Sequence, residues 1–241
     1  MILVTCSAKH SPGASTLALA LTCALASDVE SMPPLLVEVD VAGGDLAARL
    51  GLPTDPGLAS LAAASRHGGG EATIWRHAKS LPAGGAVVVA PTDPAQCLSS
   101  SRTIGARLAA MLEPAVADAV IDVGRIPGPS ALPAIGRRDW VLVACRPDLA
   151  GIEHTRRLVF GIRAGAAAPL NVAVVTIGDR PYGPADASAA MEGTPAFAIP
   201  LDAAGAGSLL TGTDRRARRT PLVRAVRSLL DQLAALEAVP A

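Results

Sequence analysis

Seven short runs of Val, Ile, Leu and Ala punctuate the chain: Ile2 to Thr5, Leu35 to Asp40, Ala86 to Ala90, Ala119 to Val123, Trp140 to Cys145, Val172 to Ile177 and Ala196 to Ile199. Within each, the apolar residues are continuous rather than alternating with polar ones, which is the pattern of strands buried on both faces of a parallel sheet. Between them lie stretches with helical spacing: Ser15 to Ala26, Asp45 to Leu50, Leu58 to Arg66, Thr73 to Ser80, Pro94 to Leu112, Ile152 to Ile162 and Pro221 to Glu237. This β-α-β-α order predicts an α/β fold. Its core is a doubly wound, mostly parallel sheet of about seven strands, with helices on both faces joined by right-handed crossovers. No linker-like shift in composition exceeds a few residues, so residues 1–241 read as one domain; Gly68-Gly69-Gly70 and Pro127 to Pro133 read as loops.

The last helix, residues 220–237, has a clear start: Thr220 as N-cap and Pro221 at the first helical position. Leu222, Val223, Val226, Leu229, Leu230, Leu233 and Leu236 then form one apolar stripe. Such a stripe packs on a sheet or lies in a membrane surface; Arg224 and Arg227 beside it make the second option possible, and Arg215, Arg216, Arg218 and Arg219 precede the helix. Docking on the sheet is the simpler reading, with the arginines solvated or touching DNA or a partner.

Composition narrows the field. With 50% hydrophobic and 17% charged residues, the 241-residue chain has a core to bury. Twenty-one basic residues balance twenty-one acidic ones, so no global charge points to nucleic acid or an anionic membrane; any such contact is local, through residues 215–227. No apolar run reaches the ~20 residues of a membrane span, and Met1 leads directly into Ile2-Leu3-Val4, so the chain reads as cytoplasmic, with peripheral attachment at a membrane or pole left open. Cys6, Cys23, Cys97 and Cys145 are too scattered for metal or disulfide use and read as buried fillers. Lys9 and Lys79 are the only lysines in an arginine-rich chain, which makes a lysine the more informative cation.

In doubly wound sheets ligands sit beyond the carboxyl ends of the strands. After the first strand comes Cys6-Ser7-Ala8-Lys9-His10-Ser11-Pro12-Gly13-Ala14-Ser15-Thr16, then an apolar helix. Strand, loop and helix N-terminus in this order make an anion site, because free backbone N–H groups and the helix dipole face the loop. The same residues also fit an ordinary strand-to-helix turn with Ser15 or Thr16 near the helix start.

At these positions the chain resembles the deviant Walker A ATPases of the MinD/ParA family, whose motif is KGGxGK[ST][ST]. Lys9 matches the signature lysine that reaches the partner's nucleotide across a dimer; Gly13 matches the last glycine, and Ser15 and Thr16 the hydroxyl pair, with Ser15 implied as a magnesium ligand. His10 and Ser11 replace glycines, Pro12 has no N–H to donate, and Ala14 replaces the phosphate-binding lysine. The altered loop is similar to that of the CpaE/TadZ branch. The missing charge-assisted contact is worth roughly 1.5 to 3 kcal/mol, so nucleotide affinity and turnover are both expected to be weak.

Other strand ends carry the resemblance further. Glu38-Val39-Asp40, then Gly44-Asp45 and Leu50-Gly51-Leu52, is similar to the acidic-x-Asp segment of MinD and CpaE. The likeness implies that Asp40 orients the attacking water or a magnesium-bound water; Asp45 fits a helix N-cap. Ile121-Asp122 resembles a Walker B strand, with Asp122 supporting magnesium through water, although an Asp closing a buried strand is also common at turns. Pro147-Asp148 leads to a helix whose Arg156 and Arg157 match arginines near the family's dimer face, if they are not simply solvated. Pro200-Leu201-Asp202 resembles the family's turn beside the base, which implies nucleotide contacts from Pro200 and Asp202, while Thr176, Gly178 and Asp179 stand where a base-reading Asn is expected.

Together the resemblance implies ATP or ADP with Mg2+ bound at Lys9, Ser11, Gly13, Ala14, Ser15 and Thr16, with Ser15, Asp40 and Asp122 on the metal side. It implies a homodimer that positions pilus, secretion, septum or partition machinery, with slow hydrolysis if any. The alternative is a pseudo-ATPase scaffold that dimerises and binds partners without nucleotide. A metabolic ATPase of the same superfamily fits less well, because no Cys pair or additional substrate motif is present.

Overall fold

The structure is a computed structural model and describes residues 1–9, 12–26, 32–66, 71–105, 107–115, 118–126, 139–166 and 169–238. His10, Ser11, the Gly68 to Gly70 run and the Pro127 to Pro133 stretch lie outside them.

Eight strands among the described residues form one sheet: β1 Ile2–Ser7, β2 Leu35–Glu38, β3 Lys79–Ser80, β4 Ala86–Val88, β5 Ala119–Arg125, β6 Trp140–Cys145, β7 Asn171–Ile177 and β8 Ala196–Ile199. Their order is β3-β4-β2-β5-β1-β6-β7-β8. Every pairing is parallel except β3 with β4. The continuous apolar runs have the expected cause: successive side chains feed opposite layers. Ile2, Val4, Cys6, Leu35 and Val37 join one buried cluster, Leu3, Leu36, Val120 and Leu142 the other. Helices α3 Leu58–Ser65, α4 Glu71–His77, α5 Pro94–Ile104, α6 Arg107–Ala115, α7 Leu149–Gly165 and α8 Pro184–Ala190 cover the first face. The second is covered by α1 Ala14–Leu25, α2 Leu46–Leu50, α9 Ala203–Thr211, α10 Asp214–Ala217 and α11 Pro221–Glu237.

Three sequence expectations need correction. The segment read as helix from Thr73 to Ser80 ends at His77 and gives way to a short strand, the eighth of the sheet. Lys79 and Ser80 pair antiparallel with Val87 and Ala86 after a tight reversal in which Gly84 and Gly85 take φ of 99° and 83°, a region that favours glycine. The stretch from Pro94 to Leu112 is two helices, broken at Gly105 with φ 35°. Asp45, expected to cap α2 with its side chain, makes no such bond; Glu38 does that work, as described below.

The last helix docks on the sheet side of the question. Leu222, Val223, Val226, Leu229 and Leu233 are buried, and α11 packs on α1 and β8. Thr220 Oγ1 accepts the Val223 N–H at 3.3 Å as the predicted cap, and the Trp140 indole donates to Glu237 at 2.7 Å. Arg218 is also structural: it donates to the Ala26 carbonyl at the end of α1, at 2.8 Å. No helix among the described residues is long and apolar enough to cross a membrane.

Candidate functional site

The chain leaves β1 first toward β2, on one side of the sheet, and later places β6 on the other side. The carboxyl end of β1 is therefore a switch point, the place where such sheets bind ligands. Strand β1 is buried along its whole length and delivers the loop to α1. Lys9 is exposed there and Pro12 is buried. Gly13 caps α1 with φ 111°, which a residue with a Cβ rarely adopts, and brings no side chain to the first-turn N–H groups. Ala14 is buried, while Ser15 and Thr16 are half-buried. Ser11 belongs to the expected phosphate loop but lies outside the described residues.

Strand β5 lies between β1 and β2, and its register sets Asp122 opposite both Thr5 and Glu38. Asp122 is fully buried. Its Oδ1 accepts the Gly124 N–H at 3.0 Å, with Thr5 Oγ1 at 3.5 Å. Its Oδ2 is buried and has no hydrogen-bond partner. Burial pushes the Asp122 carboxyl up to about 6, opposed by the nearby Ser15 hydroxyl, the Gly124 N–H and the Arg49 charge, with Asp40 adding to the rise. Burial beside Asp122 likewise drives the Cys6 thiol up to about 12, so this cysteine is inert.

Asp40 follows β2 and is half-buried. Its Oδ1 accepts the Ala42 N–H at 2.8 Å. Burial and the nearby Asp45 raise its carboxyl above the ordinary value, opposed by Ala42 and Arg125. The Asp40 side chain rests directly on Gly124, whose φ is 64°. Asp40, Asp122 and Ser15 are thus brought to one end of three adjacent strands.

Glu38 is a staple rather than an open carboxylate. Its Oε1 accepts the N–H groups of Asp45 at 2.8 Å and Leu46 at 3.0 Å, and its Oε2 that of Ala90 at 2.9 Å. The start of α2 is thereby tied to the end of the β4 segment. Gly44 makes room for it, since a Cβ there would sit 2.7 Å from Glu38 Oε2 and 2.8 Å from Ala90 Cβ. Burial pushes Glu38 up to about 7 despite those three donors.

A cavity of about 130 Å³ opens between the loop and the last strands, lined by Gly13, Thr16, Ile177, Pro200, Leu201 and Asp202 among others. Pro200 is exposed at its rim. Asp202 also holds structure: Oδ1 caps α9 through the Gly205 N–H at 2.8 Å, and Oδ2 accepts from Leu222 in α11 at 3.2 Å. Arg156 and Arg157 lie away from these strand ends on α7 and both bind Glu153, at 2.9 and 2.8 Å.

Sequence reasoning missed Arg49. It lies in the last turn of α2 and donates from Nη2 to Thr16 Oγ1 at 3.2 Å. The one available signal was a charged residue inside the apolar Leu46 to Leu52 segment.

No group of three or more His, Cys, Asp or Glu among the described residues could cage a metal by itself. Magnesium needs no such cage, since it keeps several waters and takes only one or two protein ligands beside phosphate oxygens. The unpartnered, buried Asp122 Oδ2 beside Ser15 fits such an ion.

The fold matches that of solved ParA and MinD ATPases. The chain superposes on a ParA family ATPase from Chlorobium tepidum TLS with a TM-score of 0.78 at 16% identity, covering 95% of this chain and 97% of that one. The cell division ATPase MinD of Pyrococcus furiosus gives 0.70 at 19% identity over 98% of each chain. The septum site-determining protein MinD of Pyrococcus horikoshii OT3, solved with Mg-ADP, gives 0.64 at 15% identity over 99% of each. No protein-family model and no curated protein sequence matches the chain.

Proposed function

We propose that the protein is a nucleotide-dependent positioning factor of the MinD/ParA type, in its CpaE/TadZ-like branch, with weak ATP hydrolysis. The observation that carries this reading is the buried Asp122 Oδ2, which has no partner and lies beside Ser15 at the end of β1. A buried carboxylate oxygen left without a donor is costly, and a hydrated cation there removes the cost. Magnesium supplies charge neutralisation for the β and γ phosphates when bound. Gly13, Ser15 and Thr16 would hold phosphate through the start of α1, with Lys9 exposed toward a second copy. Ser15 and Asp122 would hold the ion, and Asp40 would orient water. The cavity bordered by Pro200 and Asp202 fits the base. The whole chain serves as one domain, and a cytoplasmic homodimer would present its outer surface to pilus, secretion, division or partition machinery. Peripheral membrane or DNA contact falls to the basic segment 215–227, part of which is committed to the fold through Arg218.

Equilibrium binding of ATP with magnesium tests the reading. Micromolar affinity that falls at least tenfold in Asp122→Asn and Ser15→Ala is the expected result. A chain that folds and shows no nucleotide binding at millimolar concentration supports the scaffold alternative, which Ala14 and the N–H-less Pro12 favour.

A further inference from the structure

The first turn of α1 lacks a cation of its own. Ala14, its first residue, is 6% exposed and carries no charge. Two carboxylates, Asp40 and Asp122, already converge on this strand end, and the charge of Asp40 raises the proton affinity of Asp122. A polyphosphate entering beside them needs positive charge near the helix start.

That charge is present, on a different element. Arg49 donates one guanidinium N–H to Thr16 Oγ1 at 3.2 Å, and its charge favours ionised Asp122. A guanidinium has five N–H donors in a planar fork, so one bond to Thr16 leaves others for phosphate oxygens. Arg49 is not a loosely held surface side chain. It is half-buried and sits on a helix pinned at three points. The Glu38 carboxylate holds the N–H groups of Asp45 and Leu46. Leu46 and Ala47 are buried in the core. Gly51, with φ 64°, closes the helix by donating its N–H to the Ala48 carbonyl. A second observation points the same way: the buried Asp122 Oδ2 has no hydrogen-bond partner, and a cation or metal-bearing ligand would satisfy it.

We propose that Arg49 is the phosphate-facing cation of this site, replacing from α2 the ammonium that Ala14 does not supply from α1. The ligand class is a nucleoside di- or triphosphate with magnesium, and the assignment rests on the nucleotide reading given above. It makes the loop a relocated site rather than a dead one: the charge has moved from the helix that carries the loop to the helix that follows Asp40.

The test is equilibrium binding of a ribose-labelled fluorescent ATP analogue with magnesium to the full chain, at fixed ionic strength. Wild type, Arg49→Ala, Arg49→Gln and the double variant Ala14→Lys/Arg49→Ala are compared, each checked for fold by circular dichroism. Loss of a charge-assisted contact predicts a roughly tenfold to hundredfold weaker Kd for both single variants, and substantial recovery in the double variant. If both single variants bind as wild type does, or tighter, Arg49 is an internal counterion and the proposal falls while the nucleotide reading stands. A folded double variant that recovers nothing also overturns it. A wild-type chain that binds no analogue removes both.

Discussion

Gly124 and Asp40 occupy one space: a Cβ on Gly124 would overlap the Asp40 carboxylate, and even Asp40 Cβ would lie only 2.8 Å away. The two residues belong to different strand ends, so the glycine near the end of β5 seats the carboxylate that follows β2. Gly124→Ala should displace Asp40 and force an L-residue to φ 64°. The expected cost is about 2 to 4 kcal/mol of stability, of which ~1 to 2 is backbone strain. In an Asp40→Ala background the same substitution should cost less, namely the backbone part and the remaining contact with the Cβ at position 40. A double-mutant cycle by urea denaturation checks this, and equal costs in the two backgrounds would dissolve the link.

Glu38 gives the protein a pH signature. Its carboxyl is raised from 4.5 to about 7 in the fold, and that of Asp122 from 3.8 to about 6. A raised folded value means the protonated form suits the fold. The contribution is fully present below the unfolded value and is lost as pH rises through the folded one. Stability measured without divalent cations should therefore decline between about pH 4.5 and 7.5, with Glu38 accounting for roughly 3 kcal/mol at most. Glu38→Gln should be less stable at pH 5, because its amide NH2 faces the Ala90 N–H, yet flatter across that window. Chemical denaturation at several pH values decides; an unchanged slope in the variant would refute the assignment.

Asp202 ties two helices with one carboxylate. Asp202→Ala should cost about 1 to 2 kcal/mol by removing the α9 cap and the tether to α11. Asp202→Asn, which keeps one acceptor, should cost less. Thermal unfolding of the two variants side by side measures the difference.

Five of the seven stripe residues of α11 are buried in the core, with Leu230 half-buried and Leu236 exposed, so most of the stripe is not free to enter a bilayer. Leu229→Ala should cost about 2 to 4 kcal/mol, and the intact chain should not co-sediment with liposomes of neutral lipid. Sedimentation there would mean that the helix undocks readily.

The central strands were legible because a strand buried on both faces must be apolar at every position, and no other short segment needs to be. β3 was not, since Lys79 and Ser80 carry no apolar signal and their pairing follows from the turn at Gly84 and Gly85. The helices α8 and α9 are built largely from Ala, Gly and Ser, and offer little contrast between faces. In the site, Gly13, Ser15, Asp40 and Asp122 could be read from their places just after or within strands. Arg49 could not, because its partner Thr16 is brought to it only by folding and an arginine in this composition draws no notice. Nor could the staple at Glu38, whose three donors include one fifty-two positions away.

The two tryptophans fall on opposite sides of the sheet, Trp75 against the layer that holds α3 to α8 and Trp140 within the layer that holds α1 and α11. Each indole is thus a resident fluorophore for one half of the core. Since Trp140 also donates to Glu237 near the end of α11, its emission registers the seating of that helix. Replacing one tryptophan at a time with phenylalanine separates the two signals, so loosening of either layer becomes visible in real time without any added label.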